Sequence, residues 1–123
     1  MHKIDVFFTG PTPNVTVAED PAGVHAGDDI FWDFHSTDPA IKWAEIEFQG
    51  GAQFFRARVG ASANKRGTDL VGGHGYIVGK APEVPGRPLT GATREDKYTV
   101  IGSSAQGASA LRSKDPVIIT CDP

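Results

Sequence analysis

Between Asp29 and His35 the chain alternates, with Ile30, Trp32 and Phe34 on one side and Asp29, Asp33 and His35 on the other. Aromatic and β-branched residues at a period of two mark a strand with one buried and one wet face. The run opens behind His25-Ala-Gly-Asp-Asp, where Gly27 can take a positive φ and the aspartates can bond back to the local backbone. It closes at Ser36-Thr-Asp-Pro, because Pro39 cannot donate to a ladder. A second alternating run follows, with Ala44, Ile46 and Phe48 facing one way and Glu45 and Glu47 the other. Trp43 shares the glutamates' face, so it is expected to cover a sheet edge or an interface.

The rest of the chain repeats this grammar. Lys3 to Thr9, Asn14 to Ala18, Gln53 to Val59, His74 to Gly79, Asp96 to Gly102 and Val117 to Cys121 all read as short strands. In the third of these, Phe55, Ala57 and Val59 face inward. Arg56 and Arg58 then stand outside, beside Glu45 and Glu47, in cross-strand pairs of roughly 0.2–1 kcal/mol each. Glu19 to Gly23 reads as a turn, Gln49-Gly-Gly-Ala as a hairpin connection, and 103–114 as a small polar loop. Two longer loops are expected at 60–73, with a helical turn allowed in it, and at about 80–95. The 15 glycines and 9 prolines lie mostly between the apolar runs. Many short strands joined by such turns, over 123 residues, predict one all-β domain. The expected architecture is a two-sheet Greek-key sandwich of the cupredoxin or immunoglobulin kind.

Composition removes several functions. A net charge of −3 argues against a nucleic-acid binder. No window of about 18 apolar residues exists for a membrane span, and the first residues lack the apolar core and cleavage pattern of a signal peptide. With a single cysteine, Cys121, no internal disulfide can form, so a reducing, cytoplasmic setting is expected. Cys121 in an apolar strand reads as a buried, inert thiol. Charge is uneven along the chain: residues 1–50 carry nine acidic and two basic side chains, and the remainder six and ten. If these segments form two poles, self-association follows.

The segment Ala26-Gly-Asp-Asp-Ile-Phe-Trp32, the early strand at Val15–Val17, and the ending Tyr98-Thr-Val-Ile-Gly, loop, Asp115-Pro-Val-Ile-Ile-Thr resemble a cupredoxin. The resemblance implies a β-sandwich with a ligand loop before its last strand. Blue copper needs a thiolate, two imidazoles and usually a thioether. The segment Gly102 to Asp115 holds no Cys, His or Met, and Gly102 stands about where the ligand cysteine would be. What the resemblance implies is thus a cupredoxin-like sandwich without that site, and no cofactor is expected.

Other chemistry is sparse. His25, His35 and His74 could meet around a metal, although no two of them share a ligand-pair spacing on one element. Asp28, Asp29 and Asp33, or Glu45 and Glu47, could serve hydrolysis or calcium; the first two also suit a turn. Gly72-Gly-His-Gly leads into a strand rather than a helix, so it lacks the form of a phosphate loop. The leading expectation is a non-enzymatic binding or assembly module that engages a protein partner or a second copy. It would act through its loops and a strand edge near Trp43, Arg56 and Arg58. A small metal-binding protein using the three histidines is the alternative, and a carboxylate hydrolase stands third.

Overall fold

The computed structural model describes residues 1–10, 14–50, 53–56, 63–82, 93–105, 110–112 and 116–121. These form the strands β1 (His2–Thr9), β2 (Asn14–Val17), β3 (Ala22–His25), β4 (Asp29–Ser36), β5 (Trp43–Phe48), β6 (Lys65–Asp69), β7 (His74–Lys80), β8 (Thr93–Ser103), β9 (Ala110–Arg112) and β10 (Val117–Cys121). Two sheets result. The first has the order β2-β1-β4-β7; the second runs β3-β10-β8-β5-β6, with β9 also paired to β8. The chain changes sheet between β2 and β3, and again between β3 and β4, β4 and β5, β6 and β7, and β7 and β8. Pairings are antiparallel except β1 with β4 and β3 with β10. Among the described residues there is no helix, and so none long and apolar enough to cross a membrane.

The alternation sets the packing. Ile4, Val6 and Phe8 of β1 and Ile30, Trp32 and Phe34 of β4 are wholly buried, facing Ala44, Ile46 and Phe48 of β5 and Tyr98 and Val100 of β8. Trp32 sits amid an aromatic group, with ring centroids 5.7 Å from Tyr98, 5.9 Å from Phe55 and 6.0 Å from Phe48. Phe48 and Phe54 stack at 3.8 Å. Such pairs contribute about 0.5–1.5 kcal/mol each beyond the burial of their surface. The two-sheet sandwich expected from the sequence is therefore present, with Trp32 and Phe34 in its core.

Several local expectations are corrected. Residues 53–56 form no strand: Phe54 and Phe55 are both buried, which alternation forbids, and β5 instead pairs with β6. That strand lies inside the segment expected as the loop 60–73. The turn expected at Glu19 to Gly23 runs into β3, which adds Ala22 to His25 beside β10. Part of the loop expected at 103–114 is β9, paired with the end of β8. Half of the hairpin expected at 49–52 and most of the loop expected at 80–95 lie outside the described residues, and the next strand after β5 begins only at Lys65.

Candidate functional site

Residues left over from the core side of the first sheet make its outer face. The register sets them in rows. Lys3 of β1, Phe31 of β4 and Val78 of β7 form one row; Asp5, Asp33 and Tyr76 form the next; Phe7, His35 and His74 form a third. Of the five large hydrophobic residues that the described structure exposes, Phe7, Tyr76 and Val78 are on this face and Val71 is in the turn that enters β7. Tyr76 is 60% exposed and stacks on Phe31 at 5.1 Å. Phe7 stacks on His35 at 5.0 Å, and His74 meets the same imidazole edge-on at 5.5 Å.

A polar cluster lies between these rings. The parallel register of β1 and β4 makes Asp5 and Asp33 direct neighbours, and the period of two brings His35 to the same face. His35 Nε2 donates to Asp5 Oδ1 at 2.9 Å and lies 3.5 Å from Asp33 Oδ2. Lys3 Nζ lies 3.4 Å from Asp33 and 3.6 Å from Asp5. The hydrogen bond from His35 is the main reason that the Asp5 carboxyl is held below its ordinary value. Contact with Asp33, then the charge of Asp5, raises the Lys3 ammonium. Asp5, Asp33 and His35 each offer a ligand atom within 4.8 Å of the others.

The residues singled out from sequence are distributed as follows. His35 and His74 are cross-strand partners; His25 is on β3 at the edge of the other sheet, 3.8 Å from Asp28. Asp28 accepts from the His25 backbone N–H at 2.9 Å, which is turn chemistry. Asp29 pairs with Lys80 at 3.5 Å. Trp43 is half-buried, lies against Gly67 of the edge strand β6 and donates its indole N–H to Glu45 at 2.7 Å. Glu45, itself buried, pairs with Lys65 of β6 at 3.2 Å. Arg56 is exposed, and its carbonyl accepts from Arg66; Arg58 lies outside the described residues. Cys121 ends β10 opposite His25 and is half-buried, a more open position than expected.

Gly72 and Gly73 both take positive φ, 61° and 80°, and turn the chain tightly from Val71 to His74. Two open depressions, of about 580 and 690 Å³, lie among the described residues. The first is lined by one carboxylate, Asp38, and the second by none, so neither gathers the paired acids that hydrolysis needs.

Sequence reasoning missed Asp5 and Tyr76. Asp5 becomes a site residue only through the parallel pairing of β1 with β4. Tyr76 has a signal in sequence, as an aromatic flanked by Gly75 and Ile77 in an alternating run, but its side of the sheet depends on register.

No protein-family model matches this sequence, and no curated protein matches it. Fold and site therefore define the molecule by themselves: an all-β, two-sheet sandwich with an aromatic and charged outer face.

Proposed function

We propose that this chain is a non-enzymatic binding and assembly module, and that its partner is a second copy of itself, docked through the outer face of the first sheet. The carrying observation is the grouping of Phe7, Tyr76 and Val78, all exposed, on that one face. Trp43 is committed to Glu45 and Gly67, so the aromatic surface available to a partner is here. Charge favours a second copy. A two-fold axis running across the strands between the first two rows sets Lys3 opposite Asp5 of the other copy, and Val78 opposite its Tyr76. Opposite charges then meet on β1 and apolar groups on β7, each twice as a two-fold contact requires, while Phe31 faces Asp33 on β4.

Size sets the strength. The four strands, of 4, 8, 8 and 7 residues across the sheet and about 4.8 Å apart, make a platform of roughly 400 Å². That is below the roughly 800 Å² per partner of a stable interface, so the dimer is weak and concentration-dependent. Within this reading the sandwich is cupredoxin-like in kind. The support is its glycine turn into β4, the tyrosine of β8 and the apolar β10. Gly102 packs against Phe8 with no room for a ligand side chain, which supports a version without blue copper.

Sedimentation velocity over a concentration series tests the module. The wild type should shift from monomer towards dimer, and Tyr76→Lys should stay monomeric with an unchanged melting temperature. A wild type that sediments as a monomer throughout, or a Tyr76→Lys variant that still dimerises, overturns the proposal.

A further inference from the structure

We propose that Asp5, Asp33 and His35 bind one divalent first-row transition ion, with zinc the best match to the donor set. Two carboxylates and an imidazole suit zinc or its stand-in cobalt, and the lack of a thiolate sets the site apart from blue copper. Geometry supports it. Tetrahedral zinc with bonds of about 2.0–2.1 Å needs donors about 3.3 Å apart. The His35 nitrogen is 2.9 Å from Asp5 and 3.5 Å from Asp33, which brackets that spacing, and all three donors lie within 4.8 Å of one another.

Two further features favour a cation there. The protein already directs one at the site: the Lys3 ammonium lies between the same two carboxylates. A divalent ion replaces a single positive charge against two negative ones and releases Lys3 to solvent. The imidazole is also held in place, with Phe7 stacked on its face and His74 against its edge. All three donors stand on paired strands, so their backbone positions are fixed, and in the monomer the solvent side is open for a further ligand. This site does not depend on self-association, and it uses only one of the three histidines singled out from sequence.

The test is calorimetric titration of Zn²⁺ into a Tyr76→Ser protein, which removes the exposed ring without placing a new ammonium beside Asp33, repeated with Co²⁺ and read by its visible absorption. Working with that variant separates metal binding from dimerisation, which is measured in chelator. One ion per chain is expected. His35→Ala and Asp33→Asn should each weaken binding by roughly 100-fold or more, while His25→Ala should leave it unchanged. Lys3→Ala should tighten it by about fivefold, because a competing charge is removed; a misfolded variant could not produce that gain. Absence of binding, full affinity in His35→Ala, or weaker binding in Lys3→Ala would overturn the assignment.

Discussion

His35 Nε2 lies 2.9 Å from Asp5 Oδ1, a bond across 30 residues of sequence that ties β4 to β1 on the wet side of the first sheet. It holds the Asp5 carboxyl below the ordinary 3.8. The unfolded chain therefore binds more protons than the folded one through this window, and stability rises with pH across it. The contribution is complete above the ordinary carboxylate value and is lost as pH falls through the lower folded one. Asp5→Asn should flatten the acid limb of a melting-temperature profile below about pH 5. Asp5 is 35% exposed, so the difference should remain under about 1 kcal/mol. An acid limb identical in the two proteins would refute this assignment.

Glu45 is a buried acid with two partners, the Trp43 indole and the Lys65 ammonium. Glu45→Ala should cost about 1–3 kcal/mol in urea unfolding, because it leaves a half-buried indole N–H without its acceptor. Glu45→Gln keeps an acceptor and should recover a substantial part of that loss. Equal losses in the two variants would mean that charge, not the hydrogen bond to Trp43, is the contribution that matters.

Gly72 and Gly73 look alike in sequence but should respond differently. A Cβ on Gly73 would stand 2.5 Å from the Ser36 carbonyl oxygen, at a φ of 80°. Gly73→Ala should lose about 2 kcal/mol or more. Gly72 has nothing within 4 Å of such an atom, and asparagine tolerates its φ of 61°. Gly72→Asn should stay within about 0.5 kcal/mol of wild type. The same denaturation series measures both.

Gly102 is buried where a Cβ would meet the Phe8 ring at 2.6 Å. Gly102→Ala should cost about 1–3 kcal/mol through overpacking. Phe8→Leu in the same chain should relieve part of it, giving a double variant less damaged than the sum of the two. Strict additivity would show that the ring is not what excludes a side chain.

What the sequence made legible was whatever its alternation controls. Asp29 to His35 and Val117 to Cys121 carry their burial pattern in their own residues, as does Trp43 to Phe48 except at Glu45, which is buried although alternation places it with Glu47. β3 and β6 do not. Ala22-Gly-Val-His sits between Pro21 and Gly27 and has the chemistry of a turn; it is extended because β10 pairs with it from the far side of the sequence. Lys65-Arg-Gly-Thr-Asp has no apolar face, and its Gly67 serves as the floor under Trp43. The site was half legible for the same reason. His35 stood out by residue type, but its neighbours Asp5 and His74 are fixed by the register of three strands, which no local pattern states.

The pairing of β3 with β10 also bears on how the molecule is made. β3 is an edge strand whose partner in the sheet is β10, so Ala22 must wait for Ile118 to be synthesised. Strands β1, β2 and β4 can pair while the chain is still emerging from the ribosome; the second sheet cannot close until translation has passed Cys121. Until then β3 is an open template for any extended segment nearby, and nascent chains on one message are the nearest source of such segments. Slow decoding of the stretch before Val117 would prolong that exposure, so the yield of folded protein should depend on synonymous codon choice there.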